Sequence, residues 1–208
     1  SLPRAGEVSR GHRLRHALQA LRRDAAARRG DVAGGPRAGA DGVVIGSLNA
    51  DGTFNEEQMS GMIKAAGSCG ITLHRAFDVC ADPVAALEKV AEMGVDTILT
   101  SGQEADCLLG SKLIRHLMQV SADMPKMENI SGKPVILVGG GVKSSNIAEI
   151  AKATDAYAFH MSGKKLCSSG MQYRNERVHM GLEGISEFEI YRTDEEEIYR
   201  TVEVLQSL

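Results

Sequence analysis

Five short apolar runs recur along the chain from residue 39 onward, and segments with helical spacing separate them. The runs occupy residues 42–46, 71–77, 96–100, 134–138 and 156–160. Buried strands that alternate with helices predict a parallel sheet with right-handed crossovers. Spacings of about 25–40 residues per unit suit either a (β/α)₈ barrel or a doubly wound sheet.

Four segments between the runs carry helix signals. Asn55 precedes a helical pattern to residue 66, and Asp82 precedes Pro83 and a pattern that Gly94 closes. Such polar caps, a first-turn proline and a terminal glycine mark helix ends. The other two predicted helices cover residues 107–120, with Cys107 at the start, and 146–153.

Four of the apolar runs end in polar residues. They read HRAFD at 74–78, TSGQ at 100–103, GGG at 139–141 and HMSG at 160–163. Because ligands bind at the carboxyl ends of the strands in both α/β architectures, we expect a functional site there.

Each of these segments has a functional and a structural interpretation. His74 is either a general base or a buried histidine, and Arg75 is either an anion clamp or the salt-bridge partner of Asp78. The glycines at 139–141 form either a tight turn or an anion cradle before a helix. His160 and Met161 suit copper, although a methionine at a strand end is more often core.

Composition and charge narrow the class of protein. The 208 residues are 43% hydrophobic and carry a net charge of −3, which argues against a general nucleic-acid binder. No apolar run is long enough to cross a membrane. The four cysteines form no CxxC pair. We therefore expect reduced thiols and a cytoplasmic location.

The first 37 residues differ from the rest, since they hold nine Arg, no Lys and three acidic residues. A basic amphipathic helix at 12–29 fits the leucine spacing. The segment is a targeting peptide, an arm for nucleic acid or anionic lipid, or sequence foreign to the domain. We favour the last.

The strand-end motifs together resemble the CutC copper homeostasis family. HRAFD, LTSG, the GGG after an apolar strand, FH-x-S and the SGMQYRN segment at 169–175 occur in the family's order between about residues 38 and 181. The resemblance implies a TIM-type (β/α) barrel, cytosolic, oligomeric and associated with copper, with no firmly attached reaction.

The resemblance also implies which part of the barrel is present. The family has three βα units before the GADGVV segment, and such units need about 90 residues. We expect an incomplete barrel in which strands four to eight are recognisable, with strands at 43–46 and 156–160 as open edges. The predicted divisions are an atypical segment 1–38, a barrel portion 39–181 and an acidic segment 182–208. A terminal helix is predicted from Asp194 through Leu205, with its acidic run at 194–197 on a solvated face.

Three hypotheses follow. The first is a protein of the CutC type that binds or handles copper, and the second is a barrel enzyme for a small anionic or phosphorylated metabolite, with His74 as acid/base. The third is an inactive truncated isoform. We expect a homo-oligomer whose ligand is copper or a small anion, with no membrane and no nucleic acid as partner.

The residues proposed for these functions fall into three sets. The catalytic set is His74, Arg75 and Asp78. The ligand-binding set is Ser101, Gly102, Gly139, Gly140, Gly141, His160, Ser162, Arg174 and Asn175. The weak copper set is His160, Met161 and Cys167, the last expected in a loop after the final strand.

The remaining cysteines are not expected to form a metal site. Cys69 and Cys80 flank one predicted strand, so they lie at opposite ends of it. Cys107, at a predicted helix start, would have its thiolate stabilised by the helix dipole. Packed free thiols are the reading that we favour.

Overall fold

The computed structural model describes residues 32, 34–37, 39–125, 133–175, 177–178, 186 and 188–208. The elements are α1 (Gly34–Arg37), β1 (Gly42–Ile45), α2 (Glu56–Ala66), β2 (Gly70–Leu73), a 3₁₀ helix (Arg75–Val79), α3 (Pro83–Glu92), β3 (Thr97–Thr100), α4 (Ser111–Asp123), β4 (Val135–Gly139), α5 (Ile147–Thr154), β5 (Phe159–His160), β6 (Lys164–Ser168), β7 (Glu189–Thr193) and α6 (Glu195–Gln206). They divide into two compact units. The first runs to residue 142 and includes 149–160, and the second comprises 143–148 and 161–208.

The first unit contains a five-stranded parallel sheet in the order β1-β2-β3-β4-β5. Gly42 pairs with Gly70 and Ile45 with Leu73, so β1 and β2 pair along their whole length. Most of β3 and β4 is buried. This is the pattern of a parallel sheet covered on both faces. The predicted α/β class and its alternation of strands and helices are confirmed.

The predicted helix caps are present in the first unit. The Asn55 side chain accepts a hydrogen bond from the Gln58 amide at 2.9 Å. Asp82 accepts from Val84 and Ala85 at 3.0 and 3.1 Å, with Pro83 at the first position of α3. These caps satisfy amides that the first helical turn leaves unpaired.

Three predicted boundaries were wrong. The apolar run at 71–77 stops being a strand at residue 73, because the His74 side chain caps the 3₁₀ helix that follows. The helix predicted at 107–120 begins at Ser111, because the Asp106 carboxylate binds the amides of Leu108 and Leu109 in a turn. The run at 156–160 pairs with β4 only at 159–160.

Strands β1 and β5 are the two edges of the described sheet, since each pairs with one neighbour there. The structure therefore agrees with the predicted open edges. Unpaired edge strands favour association with another chain, and the homo-oligomer stays a prediction.

The second unit contains an antiparallel pair, β6 and β7, followed by α6. Lys164 pairs with Thr193 and Ser168 with Glu189. This antiparallel pair was not predicted from the sequence, because its side chains are mostly exposed and show no apolar alternation. Cys167 lies within β6, so its predicted loop position was wrong.

The terminal helix was predicted from Asp194 through residue 205, and α6 matches it closely. No helix in the described part of the chain is long and apolar enough to cross a membrane. The predicted basic helix at 12–29 lies outside the described residues, and the three predicted divisions stay predictions.

Candidate functional site

Arg75 and Asp78 meet in the 3₁₀ helix that follows β2. The Arg75 Nε donates to Asp78 Oδ2 at 2.6 Å, and the Asp78 side chain is only 6% exposed. A turn of 3₁₀ helix places residues three apart on one face. The salt bridge that was one reading of this pair is therefore present.

The Asp78 carboxylate also binds the loop after β3. Its Oδ1 accepts from the Thr100 hydroxyl at 2.5 Å and from the Ser101 and Gln103 amides at 3.0 and 3.3 Å. Thr100 and Ser101 are fully buried. Because these donors compensate the buried charge, Asp78 joins the ends of β2 and β3 and positions Arg75. Asp78 thus has a positioning role in the structure, and its predicted catalytic role stays a prediction.

The guanidinium of Arg75 extends from Asp78 toward β4. Its Nη2 donates to the Ser101 hydroxyl at 2.7 Å. A β-carbon at Gly140 would lie 3.0 Å from Cβ of Ser101 and 3.7 Å from Nη1 of Arg75. Gly140 also has a φ of +99°, where side chains are strained. Glycine is thus required here, and two predicted ligand-binding residues, Ser101 and Gly140, come together with Arg75 of the predicted catalytic set.

His74 lies against the end of β1. Its Nδ1 accepts the Ala76 amide at 3.0 Å, so the ring proton belongs on Nε2. A β-carbon at Gly46 would lie 2.5–2.9 Å from three ring atoms of His74. Burial lowers the pKa of His74, so the imidazole is neutral near neutral pH.

His160 occupies the end of β5 beside β4. A β-carbon at Gly139 would lie 3.4 Å from Cβ of His160 and 2.6 Å from a methyl carbon of Leu99. The His160 Nδ1 is buried and has no hydrogen-bond partner among the described residues. Burial also lowers the pKa of His160. The ring is therefore neutral near neutral pH, and its buried Nδ1 is unpaired within the described residues.

The loop between β3 and α4 is closed by two glycines. A side chain on Gly102 or on Gly110 would collide with the backbone of the other. Gly102 has a φ of +73° and donates its amide to the Thr100 hydroxyl at 2.9 Å. Gly102 therefore provides the turn that directly follows Ser101. A ligand contact by Gly102 stays a prediction.

The cysteines of the first unit are packed thiols. Cys107 precedes α4 by four residues, so the predicted stabilisation of its thiolate at a helix start was wrong. Burial instead raises its pKa to about 11. Cys80 is also buried with a raised pKa. Cys69 and Cys80 lie before and after β2, as expected.

Five predicted site residues belong to the second unit: Met161, Ser162, Cys167, Arg174 and Asn175. Arg174 donates to the Ser168 hydroxyl at 3.2 Å and lies 4.8 Å from the centre of the Phe188 ring. Asn175 accepts from the Arg177 amide at 3.2 Å. Roles for these residues at the strand ends stay predictions.

A metal centre needs several donor side chains around one point. Across the described ranges, no three His, Cys, Asp or Glu side chains are grouped so that they could hold a metal ion. The predicted copper set of His160, Met161 and Cys167 stays a prediction.

Three residues of this region were missed as contributors: Gly46, Thr100 and Gln103. Gln103 adopts a φ of +59° and donates from Nε2 to the Cys80 carbonyl at 2.7 Å. The signal for Thr100 and Gln103 was their place in the TSGQ strand end. Only the tertiary contact with His74 singles out Gly46.

Comparison with known proteins identifies the family. Residues 16–165 match the model of the CutC family. The chain belongs to the CutC family. A CutC family protein of Parabacteroides distasonis is 42% identical over 76% of this chain and 61% of its own length. The resemblance carried by the strand-end motifs is thus confirmed.

Two further CutC proteins extend the comparison. The human copper homeostasis protein cutC homolog is 36% identical over 75% of this chain and 54% of its own. The crystal structure of CutC from Streptococcus agalactiae has a TM-score of 0.56 and 22% identity, covering 64% of this chain and 60% of that one. The chain thus spans about three-fifths of these relatives, and its five parallel strands form part of a TIM-type barrel.

The Asp78 network makes a prediction for stability. We expect Asp78→Asn to lower the free energy of unfolding by about 3 kcal/mol, because an amide places donors against the Arg75 and Ser101 donors. Urea unfolding measures this. Asp123→Asn, at an exposed carboxylate ending α4, should change it little. Equal effects of the two substitutions would contradict the role assigned to Asp78.

The neutral histidines predict a pH dependence. In the unfolded chain His160 has its ordinary pKa of 6.5, and in the fold the pKa is lower. As the pH falls through that range the unfolded chain binds the proton first, so the free energy of unfolding decreases until the folded pKa is reached. Urea unfolding between about pH 7.5 and 5.5 should show a smaller decrease for His160→Gln than for wild type. His116 is exposed, so His116→Gln should show the same decrease as wild type. If His160→Gln also shows the full wild-type decrease, the assignment of this pH dependence to His160 is refuted.

Proposed function

We propose that this CutC chain binds a small oxyanion, a phosphate or carboxylate group of a metabolite, at the carboxyl ends of β2, β3 and β4. The observation that carries the proposal is the Arg75 guanidinium. Asp78 and Ser101 hold two of its nitrogens, and Nη1 has no hydrogen bond within the described residues. The side chain is 46% exposed, so this nitrogen is accessible to a ligand.

Preorganisation supports this function. A guanidinium forms strong charge-assisted hydrogen bonds with phosphate and carboxylate groups. Arg75 is already held in one geometry, so less side-chain entropy is lost when an anion binds. The buried donors Thr100 and Ser101 share the charge of Asp78 with Arg75.

His74 contributes as a hydrogen-bond donor in this proposal. Because its Nδ1 is occupied by the Ala76 amide, the neutral ring can donate from Nε2 but cannot accept a proton there. This favours a role in contacting an anion over the role of general base. An enzymatic reaction at Arg75 would need a base other than His74.

Phosphate binding tests the proposal. We expect inorganic phosphate to bind the wild-type chain in calorimetry, and Arg75→Gln to weaken the binding by roughly 10–100-fold, the value of a charge-assisted hydrogen bond. Arg115→Gln is the matched control, since Arg115 is 44% exposed and also paired with a carboxylate. Circular dichroism checks that both variants fold. No phosphate binding by wild type, or equal binding by Arg75→Gln, would refute the proposal.

Copper binding is the second function that we propose, and His160 is the observation that favours it. An unprotonated imidazole nitrogen is a suitable copper ligand, and the Nδ1 of His160 has no other partner in the described chain. The human relative is named as a copper homeostasis protein, which supports such a role. Met161 and Cys167 stay the predicted soft ligands.

Thermal unfolding with buffered Cu(I) under reducing conditions tests this second function. An ion that binds only the folded chain raises the melting temperature by mass action. We expect the rise in wild type and in His116→Ala, and its loss in His160→Ala. A rise that survives in His160→Ala would place copper on other residues, and no rise in wild type would remove copper binding from this chain.

A further inference from the structure

One five-residue sequence occurs twice near the end of the chain. Residues 189–193 and residues 197–201 both read EIYRT. The first copy is strand β7, which pairs with β6, whereas the second copy lies within α6. The same five side chains are therefore a strand in one place and a helix in the other, so contacts outside the copies decide their conformation.

Little in β7 itself determines which copy pairs with β6. All five side chains of β7 are exposed, and the register of a strand is weakly specified where neither face is buried. Isoleucine, tyrosine and threonine favour strands and are weaker helix formers than alanine or leucine. The second copy therefore has the composition of a strand although it lies in a helix.

A shift of the pairing to the second copy would give β6 the same neighbours. In the structure Leu166 pairs with Tyr191 and Cys167 with Ile190. With the second copy in place of the first, Leu166 would pair with Tyr199 and Cys167 with Ile198. The connection to β6 would lengthen only by the distance between the copies, and the entropy of loop closure depends weakly on length.

Contacts of the second copy favour the observed register. The Ser144 amide and hydroxyl donate to the Glu197 carboxylate at 2.7 and 2.8 Å. Ile198 packs so closely on Gly163 that a side chain there would collide with it. Within α6, however, Thr201 is the only buried residue. Because few buried contacts hold this helix, its opening costs less free energy than global unfolding.

We propose that β6 pairs with either copy of EIYRT, so that the second unit has two registers. In the major register β7 pairs with β6 and α6 is helical. In the minor register residues 197–201 replace β7, and residues 202–206 are too few to remain helical alone. Glu197 then leaves Ser144, so the register of the strand pair controls this contact. The proposal depends on neither function proposed above.

Disulfide trapping by the natural Cys167 tests the two registers. Directly paired residues of neighbouring strands lie within the distance range of a disulfide. With diamide as oxidant, Ile190→Cys should crosslink to Cys167 rapidly, and Ile198→Cys should crosslink more slowly through the minor register. Peptide mapping by mass spectrometry identifies each pair.

Tyr199→Cys is the matched control for Ile198→Cys. In the minor register residue 199 lies on the opposite face of the strand, so it should crosslink to Cys167 at least ~10-fold more slowly than residue 198. Simple opening of α6 would instead crosslink both residues at similar rates, and that result would overturn the proposal.

Two proline variants distinguish a shift of register from loss of the helix. The Asp194 amide donates to the Gly163 carbonyl at 2.6 Å. Since hydrogen-bonded pairs alternate along an antiparallel ladder, the Arg192 amide also faces β6. Arg192→Pro removes this donor from the first copy and should speed crosslinking of Ile198→Cys several-fold. Arg200→Pro, the same change in the second copy, should slow it.

The opposite results would contradict the proposal. Proline also breaks helix interiors, so simple opening of α6 would make crosslinking faster with Arg200→Pro. A crosslink whose rate ignores Arg192→Pro would show that it forms in the observed register. Circular dichroism checks that each variant folds.

The wild-type chain provides a second measurement if a variant does not fold. We expect saturation-transfer NMR to detect a minor state in which the carbon shifts of residues 197–201 change from helix to strand values. Those of residues 189–193 should change from strand to coil values in the same state. No minor state, or one in which residues 197–201 become coil, would overturn the proposal.

Discussion

The carboxylate of Asp78 holds the functional end of the sheet together. It is almost completely buried, and a buried charge without partners would oppose folding strongly. Here it is compensated by the Arg75 guanidinium, by the Thr100 hydroxyl and by backbone amides of the loop after β3. Because these donors are paired with one carboxylate, the position of the 3₁₀ helix and the position of the loop after β3 are fixed relative to each other. The orientation of Arg75 follows from this constraint.

Close backbone approaches impose a second constraint at the same strand ends. Gly46 makes room for the His74 ring, Gly139 for Leu99 and His160, and Gly140 for Ser101. A side chain at any of these glycines would separate neighbouring strand ends. The triple glycine is therefore first a packing requirement. Its consequence for function is that no side chain at residue 140 lies against Nη1 of Arg75, from which a β-carbon there would be 3.7 Å away.

The two ligands proposed for this region, an anion and copper, require different side chains. Both histidines are neutral through burial, and His74 has one nitrogen occupied by the backbone. His160 is the exception, because its buried Nδ1 has no partner in the described chain. The proposed copper ligand and the proposed anion contact of Arg75 are therefore different side chains, and separate substitutions can examine them.

The sequence by itself determined the features that depend on near neighbours or on periodicity. Asn55 and Asp82 cap helices through amides two or three residues away, so the local pattern suffices to predict them. The apolar runs likewise predicted a parallel sheet, since burial on both faces requires continuous apolar strands. The motif at 74–78 contained the pairing of Arg75 with Asp78, three positions apart.

Only the tertiary structure decided the contacts between distant segments. Asp78 and Thr100 are 22 residues apart, and Ser144 and Glu197 are 53 apart. No local pattern distinguishes Glu197 from its acidic neighbours, which were expected to be solvated. Likewise, because Asp106 forms a turn, α4 begins only at Ser111, and Cys107 is buried in that turn rather than at a helix start. These outcomes depend on which polar groups meet after the chain has folded, because a buried donor or acceptor must find its partner wherever the fold provides one.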